Sequence, residues 1–378
     1  MLYFFQLGQK FDQELGKEEK FGKKGKSVMQ AFNLSAEGWI FLLSFLGSFV
    51  VAGFLIFLSP WVPFLFDQSF GVQKTHHGKI PRIGGLAIFF GFFGSFFFLA
   101  KQLETSDWIF IKLLSITALP MFLGGLLEDL TKQVSPLSRF ILAISSAIIA
   151  YFALDSAITS LGFWPVDFLL HYQIVSLLLT SFAVAGVANG ANMMDGFHGL
   201  LLGYVSCSLL TYAYFSWIFE DQLLFTLCFS LFFACLGLLV FNWPKGKIFL
   251  GDGGSYLLGF LLAEIAVLLY NRNQEKISPV AVGIVLSFPV LETLFSIFRR
   301  GLKMFYADDR HLHQFIFSAG KKRWKHFSNA WVVVCLLPLF LIPMLVAIAF
   351  HRHSLLAILG FFVFSGFYFG IYYRLDKK

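Results

Sequence analysis

Residues 199–241 read GLLLGYVSCSLLTYAYFSWIFEDQLLFTLCFSLFFACLGLLVF and decide the kind of fold. The stretch contains two apolar runs, 199–219 and 222–241, separated only by Glu220 and Asp221. A helix crosses the hydrocarbon core of a bilayer with roughly 17 to 25 apolar residues, so each run is long enough. Neither run alternates polar and apolar residues, which favours helices over barrel strands. The stretch therefore predicts two consecutive membrane-spanning helices.

The same pattern recurs along the whole chain. Of its 378 residues 57% are hydrophobic and only 13% are charged, and the mean hydropathy is +0.74. This composition is typical of integral membrane proteins. The chain holds about eleven apolar runs of spanning length. They lie near 39–59, 83–100, 108–127, 137–154, 173–188, 199–219, 222–241, 255–270, 279–298, 330–350 and 354–373.

We therefore predict an all-α polytopic membrane bundle with about eleven transmembrane helices. Residues 39–374 are expected to form a single membrane domain after a polar N-terminal tail, residues 1–38. The longest loop, about 301–329, is too short to bury a core of its own.

Five polar stretches interrupt the apolar chain, and each follows an odd-numbered segment. Because consecutive spans alternate in direction, all five are expected on the same side of the membrane, where they would form one chemical site. The stretches are residues 74–82, Glu128-Asp129, residues 189–195, residues 242–255 and residues 308–313.

The distribution of Lys and Arg predicts which side that is. Eighteen Lys and Arg residues lie on the side of the polar stretches, whereas between segments on the other side there are four, Lys101, Arg272, Lys276 and Arg352. Basic residues are retained on the cytoplasmic side, so the site is expected to face the cytoplasm. The net charge of +7 is carried by juxtamembrane loops, which indicates contact with membrane lipid or phosphate groups and not with nucleic acid.

Three of the stretches contain acids at segment ends. Asp252 stands among glycines at the start of a predicted helix, where it could hold a cation while backbone N–H groups face an anion; the alternative is a simple N-cap. Glu128 and Asp129 suit metal binding or general-base work, or a solvated helix end paired with Lys132. Asp195 follows a helix end that carries two amides.

Those amides are Asn189 and Asn192, whose spacing places them on one side of a helix with Asp195, with amide capping as the alternative. His311 and His313 follow Arg310 in the longest loop. Since no cysteine lies near them, phosphate contact or proton transfer is favoured over zinc binding, with a solvated basic loop as the alternative.

The first stretch supplies Lys74, His76 and Arg82, cations that could hold a diphosphate or could only enforce topology.

Taken together, the five stretches resemble the polyprenyl-phosphate N-acetylhexosamine-1-phosphate transferases, glycosyltransferase family 4. The resemblance runs from about Lys74 to Gln314. Its motifs are Lys-Thr-His-His-Gly-Lys-Ile-Pro-Arg-Ile-Gly-Gly, Gly-Leu-Leu-Glu-Asp-Leu-Thr-Lys, Asn-Gly-Ala-Asn-Met-Met-Asp-Gly, Phe-Asn-Trp-Pro-Lys-Gly-Lys-Ile-Phe-Leu-Gly-Asp-Gly-Gly-Ser and Asp-Arg-His-Leu-His-Gln.

The resemblance implies a bacterial inner-membrane enzyme that transfers a sugar 1-phosphate from a UDP-N-acetyl sugar to undecaprenyl phosphate and releases UMP, with Mg2+ or Mn2+ as cofactor. It also implies a step that initiates a cell-surface polysaccharide such as O-antigen. About eleven segments suit the branch of the family that uses UDP-N-acetylglucosamine better than the peptidoglycan branch. The sequence leaves open whether the protein is a homodimer.

The resemblance also implies roles for single residues. Asp252 corresponds to the metal ligand, and Glu128 and Asp129 to paired acids near the lipid phosphate. Asp195 falls with the two amides on the nucleotide-sugar motif, and Phe249 matches an aromatic that stacks on uracil. The expected catalytic residues are Asp129, Glu128 and Asp195. The expected substrate-binding residues are Lys74, His76, Arg82, Asn189, Asn192, His198, Lys247, Phe249, Arg310, His311 and His313.

Three positions depart from the family pattern. Glu128 replaces the commoner first Asp, which makes Asp129 the better candidate for the base. His198 stands where many members have an acid that contacts the base of the nucleotide. Gln314 replaces the last histidine, which argues against a triple-histidine metal site.

The sequence leaves the reaction course open between direct attack by the lipid phosphate and a covalent aspartyl intermediate. Two other functional classes compete with the transferase. One is a secondary transporter of a nucleotide or organic anion, supported by Glu264 and Glu292 within apolar segments. The other is a scaffold for polysaccharide assembly, which would not need five polar stretches on one side.

Overall fold

The structure is a computed structural model that describes residues 35–62, 66–67, 80–301 and 310–377. Within these ranges it is built of α-helices, and the prediction of an all-α membrane bundle is confirmed. The fourteen described helices are α1 (Ala36–Leu58), α2 (Gly85–Phe98), α3 (Thr105–Thr131), α4 (Pro136–Ala153), α5 (Trp164–Leu170), α6 (Gln173–Met194), α7 (Leu200–Ile218), α8 (Gln222–Asn242), α9 (Gly251–Arg272), α10 (Pro279–Ile284), α11 (Ser287–Arg300), α12 (Leu312–Arg323), α13 (Trp331–Ala349) and α14 (Ser354–Asp376).

Short elements complete the described chain. Two single-turn 3-10 helices cover Ser59–Trp61 and Ala100–Gln102. The strands β1 (Phe66–Asp67) and β2 (Ile80–Pro81) form an antiparallel pair.

Nine of the described helices are long and apolar enough to cross a membrane. The predicted segment 83–100 corresponds to the shorter apolar helix α2. The segment 279–298 is not one continuous helix, because it divides into α10 and α11.

The break between α10 and α11 has a local cause. Pro289 has no N–H to donate to the carbonyl of Val285, four residues earlier. That carbonyl instead accepts a hydrogen bond of 2.7 Å from the hydroxyl of Tyr204 on α7. The helix is therefore interrupted within the bundle without leaving this buried carbonyl unsatisfied.

Helix α9 is the centre of the bundle, since 89% of its spanning window is buried. It packs against α2, α3, α6 and α7. Helices α3 and α9 cross with their backbones in close contact, because a Cβ atom on Gly125 would lie 2.6 Å from the Gly253 nitrogen. Small residues allow such close crossings in membranes. The first turn of α9 is consequently held in the core at the end where the polar stretches lie.

The segments before α2 and before α9 are joined by backbone hydrogen bonds. The Phe249 N–H donates to the Pro81 carbonyl at 2.8 Å, and the Gly84 N–H donates to the Phe249 carbonyl at 2.9 Å. These bonds bring Arg82 to the start of α9.

The polar stretches therefore meet at one end of the bundle, as far as they are described. The first stretch is described from Ile80 onwards and the fifth from Arg310 onwards. The predicted site residues Lys74 and His76 lie outside the described residues, as does most of the tail 1–38.

Candidate active site

Asp252 is almost completely enclosed, with 2% of its surface exposed. It lies in the first turn of α9, and each of its carboxylate oxygens pairs with a different guanidinium. Arg82 pairs with Oδ1 and Arg139, from the first turns of α4, pairs with Oδ2. A buried carboxylate needs such partners to remain charged.

Arg139 was not predicted as a site residue. Its guanidinium also lies 6.0 Å from the ring centre of Tyr256 on α9. In the sequence it looked like one of many basic residues that set topology. The usable signal was its position at the start of the helix that directly follows Glu128 and Asp129.

Asp129 holds the beginning of α9. Its Oδ1 accepts from the Asp252 N–H at 2.8 Å and its Oδ2 accepts from the Gly253 N–H at 2.9 Å. The Arg82 Nε lies 3.4 Å from Oδ1. The negative charge of a carboxylate beside the free N–H groups of a helix N-terminus is also stabilised by the helix dipole. Its predicted role as base stays a prediction, and the geometry adds a positioning role.

The side chain of Glu128, the neighbouring acid, lies in a different environment. It is half-buried, its Oε2 accepts from the Val134 N–H at 2.8 Å, and it lines the main cavity. The two adjacent acids thus have separate surroundings, one within the framework of α9 and one at the cavity wall.

Asn189 and Asn192 face α9 from the last turns of α6. Asn189 Oδ1 accepts from the Tyr256 hydroxyl at 3.2 Å, and Asn192 Oδ1 accepts from the Ser255 hydroxyl at 2.7 Å. Both line the cavity, as does Asp195 just after the helix. The one-sided arrangement expected from their spacing is present, and their part in substrate binding stays a prediction.

The Asp195 carboxylate lies near the Gly251 N–H and the Arg82 guanidinium. Burial raises the pKa of Asp195 to about 7, although the Arg82 charge and the Gly251 N–H both act to lower it. Gly251 itself adopts a positive φ of 78°, and a Cβ there would lie 2.5 Å from Asp129 Oδ2. Glycine is therefore required at position 251, where the backbone passes close to the carboxylates of Asp129 and Asp195.

His311 and His313 lie together at the cavity, both buried, with their rings stacked at 5.3 Å. The Nδ1 of His311 is 2.8 Å from Oε2 of Glu292 on α11. Glu292 had supported the transporter alternative, and the structure instead joins it to the predicted histidine pair. Gln314 also lines the cavity, and its Oε1 accepts from the His311 N–H at 3.0 Å.

Arg310 is not brought into the cavity. Its guanidinium pairs with Asp376 near the end of α14, with its NH2 group 2.7 and 2.8 Å from the two carboxylate oxygens. Its predicted contact with substrate therefore has no support from this geometry.

His198, Lys247 and Phe249 lie beside the cavity and not in its wall. The rings of His198 and Phe249 are 5.6 Å apart, and Lys247 is exposed. The Nδ1 of His198 is 3.1 Å from the Pro244 carbonyl, so this nitrogen is the donor. Burial lowers the pKa of His198, which favours the neutral ring.

The main cavity has a volume of about 870 Å³ and joins this polar end to an apolar groove. The groove runs between α6, α9, α10 and α11 to residues 158–161 and Tyr270, at the opposite ends of these helices. Its walls include Phe182, Val267, Val282, Leu286, Val290 and Leu294. The cavity can therefore take a molecule with a charged head and a long apolar tail.

The donor atoms at the polar end suit a hard cation. No group of three His, Cys, Asp or Glu able to hold a metal occurs among the described residues. Asp252, Asp195 and Asn192 nevertheless supply oxygen donors at one cavity end. Magnesium commonly takes one or two carboxylates and completes its shell with water and substrate phosphate. The residues present fit such a partial site, in which a cation would compete with the two arginines for Asp252.

Comparison with known proteins agrees with this architecture. Residues 111–270 match the family model described as glycosyl transferase family 4. The chain is 28% identical over 254 residues to the probable undecaprenyl-phosphate N-acetylglucosaminyl 1-phosphate transferase of Bacillus subtilis (strain 168), covering 66% of this chain and 68% of that protein. It is 27% identical over 261 residues to the undecaprenyl-phosphate alpha-N-acetylglucosaminyl 1-phosphate transferase of Salmonella typhi, with the same coverage.

A relative with a different name matches a longer part of the chain. The phospho-N-acetylmuramoyl-pentapeptide-transferase of Geobacillus sp. (strain WCH70) is 26% identical over 315 residues, covering 78% of this chain and 94% of that protein. The relatives therefore include transferases with two different names.

The described residues form a multi-pass helical bundle with a cavity that is charged at one end and continues as an apolar groove. The sequence matches agree with a membrane transferase, since residues 111–270 match the model of glycosyl transferase family 4 and the relatives above are named as 1-phosphate transferases. The resemblance seen in its motifs is confirmed, and so is the prediction that it is a transferase.

Proposed function

We propose that this protein transfers an N-acetylhexosamine 1-phosphate from a UDP-sugar to undecaprenyl phosphate and releases UMP. The observation that carries the proposal is the single cavity in which Arg82, Arg139 and Asp252 lie at one end of an apolar groove. A polyprenyl phosphate has the matching form, since its phosphate needs cations and its chain needs apolar surface. The names of the relatives support the same substrate class.

In the proposed step, an oxygen of the lipid phosphate attacks the β-phosphorus of the UDP-sugar. The bond from that phosphorus to the bridging oxygen breaks, and UMP leaves with the electron pair. The products are UMP and a polyprenyl diphosphate sugar, so atoms and charge balance. Such transfers depend on alignment and charge neutralisation more than on covalent help from the protein.

The cations of the cavity have the first task in this proposal. Arg82 and Arg139 turn from Asp252 to the phosphate oxygens, for which guanidinium is well suited. Asp252, once released, is the residue that would hold Mg2+ or Mn2+ together with Asp195. The bound cation would supply charge neutralisation on the diphosphate and on the departing UMP.

The acids at the cavity wall have the second task. Glu128 and Asp195 can keep the lipid phosphate deprotonated and aligned for attack. Asp129 keeps α9 in position, because both its oxygens already accept backbone N–H groups. This arrangement favours direct attack over a covalent intermediate on Asp129, which would lose those bonds.

The names of the relatives support a more specific proposal for the sugar donor and for the place of the reaction in the cell. UDP-N-acetylglucosamine is the proposed donor, with uracil recognised by Phe249 and His198 beside the cavity. The alternative donor is a UDP-muramoyl-pentapeptide, because one relative is named a phospho-N-acetylmuramoyl-pentapeptide-transferase. We place the enzyme in the bacterial inner membrane with the site facing the cytoplasm, as the first step of a surface polysaccharide such as O-antigen.

The test is turnover of the purified protein in detergent with undecaprenyl phosphate, Mg2+ and a panel of UDP-N-acetyl sugars. UMP release should need lipid and metal and should select one donor. Asp252→Asn should abolish it, while Glu264→Gln, a buried acid elsewhere on α9, should not. Folded protein that releases no UMP with any donor would contradict the proposal.

A further inference from the structure

Glu292 is a buried acid that the sequence did not assign to the site. It lies on α11 and is 2% exposed. Its Oε2 is 2.8 Å from His311 Nδ1, and its Oε1 accepts from the Leu312 N–H at 3.3 Å. The two contacts fall on consecutive residues, so this carboxylate fixes both the ring of His311 and the start of α12.

The contact determines the protonation of the ring. A carboxylate oxygen can only accept, so Nδ1 of His311 carries a proton. Nε2 lies on the opposite side of the ring from Glu292. In the neutral ring Nε2 is then an acceptor, and it can donate only when the ring carries a second proton. His311 lines the cavity, whereas Glu292 is not among the residues in its wall.

The surrounding helices hold this pair in place. The backbone carbonyl of Arg310, directly before His311, accepts from the Tyr372 hydroxyl of α14 at 3.0 Å. The ring of His313 stacks on that of His311 with an angle of 7° between planes. The His311 ring is therefore restrained on three sides: by its neighbour, by α14 through the backbone and by Glu292.

We propose that Glu292 is a positioning residue that keeps His311 protonated at Nδ1 and turned with Nε2 towards the diphosphate of the nucleotide sugar. The inference rests on the proposed function, since it takes the diphosphate as the ligand. When the ring also carries a proton on Nε2, donation from Nε2 to a phosphate oxygen strengthens as charge develops on the departing phosphate, so the effect falls on turnover more than on binding.

The experiment is a double-mutant cycle in purified protein with Glu292→Gln, His311→Ala and both together. Glu264→Gln serves as the matched control, because Glu264 is also a fully buried acid in a membrane helix but lies outside the cavity wall. Glu292→Gln should lower kcat by about 10- to 100-fold, as loss of a group that orients a ligand does. KM for the UDP-sugar should stay within about threefold of the wild-type value.

The cycle separates positioning from a general effect on folding. On the His311→Ala background, Glu292→Gln should change kcat by less than about threefold, since the ring it orients is gone. An equal loss of kcat on both backgrounds, or wild-type kcat in Glu292→Gln, would overturn the inference.

A spectroscopic arm does not depend on turnover. In NMR of protein with isotope-labelled histidine, the His311 ring signals, assigned by their loss in His311→Ala, should report a protonated Nδ1 that changes in Glu292→Gln. An unprotonated Nδ1 in wild type would overturn the inference even in active protein. Absence of lipid-dependent UMP release from wild type, with the expected ring signals, would instead count against the proposed function.

Discussion

Replacement of Asp129 by asparagine should separate the work of the two adjacent acids. Asp129 is 3% exposed, and its two oxygens accept the Asp252 N–H at 2.8 Å and the Gly253 N–H at 2.9 Å. Asparagine keeps one oxygen and places an NH2 group against the other N–H. One charge-assisted bond is lost, and a backbone donor at the start of α9 loses its acceptor.

The cost follows from these contacts. A hydrogen bond to a charged group contributes about 1.5 to 3 kcal/mol, and the charge at the helix N-terminus adds roughly 0.3 to 1 kcal/mol. We expect Asp129→Asn to destabilise the protein by about 2 to 4 kcal/mol. Turnover should fall by roughly 100-fold as well, because Asp252 moves with the turn.

Glu128→Gln is the matched comparison. Its side chain is half-buried, and glutamine keeps an acceptor for the Val134 N–H, so stability should change by less than about 1 kcal/mol. Thermal unfolding in detergent, followed by tryptophan fluorescence, should therefore show a lowered midpoint for Asp129→Asn only, whereas turnover should fall in both variants. A wild-type unfolding midpoint for Asp129→Asn would refute the assignment of Asp129 to the framework of α9.

Three other predictions follow from the cavity and from the residues beside it. Activity should fall as pH decreases through about 7 or somewhat below, because the Asp195 carboxylate, whose pKa burial raises to about 7, becomes protonated there, and a bound cation would lower that value. In a pH-rate profile of Asp195→Asn this acid limb should be absent, and its persistence at the same pH would contradict the assignment. Gly283→Leu should raise KM for undecaprenyl phosphate several-fold, about 1 kcal/mol or more in binding, because a side chain there enters open space in the groove wall. Gly94→Leu, which also has open space but lies outside the groove, should leave that KM unchanged, and equal effects of the two would count against the groove. Phe249→Leu should raise KM for the UDP-sugar about tenfold, since stacking on a base contributes about 1 to 3 kcal/mol, without a change in KM for the lipid. Unchanged KM for the UDP-sugar would remove Phe249 from nucleotide recognition.

The helices were predictable because long apolar runs without alternating polar residues form helices in a bilayer. Pro289 was visible in the sequence, but the Tyr204 hydroxyl that satisfies the Val285 carbonyl, and so allows the break between α10 and α11, was not. Hydropathy indicates which residues avoid water, but it does not predict which hydroxyl donates a hydrogen bond to a given buried carbonyl. A continuous segment at 279–298 was therefore the natural expectation.

The composition of the site was predictable where polarity conflicts with the membrane. Asp252, Asp195 and the histidines stood out because such groups are costly near lipid. Arg139 and Arg310 show the limit of that signal: one joins Asp252 and the other turns to Asp376 at the end of the chain. Both look alike in sequence, since a basic residue near a segment end also satisfies topology.

The most direct test of the central claim follows the β-phosphate of the donor. The purified protein would be supplied with undecaprenyl phosphate, Mg2+ and UDP-N-acetylglucosamine radiolabelled on the β-phosphate. Transfer of a sugar 1-phosphate predicts that the label enters the extractable lipid together with the sugar, that UMP is the nucleotide released, and that Asp252→Asn prevents both. Release of UDP with an unlabelled lipid product, or label that never enters the lipid fraction with this or another UDP-N-acetyl sugar, would contradict it.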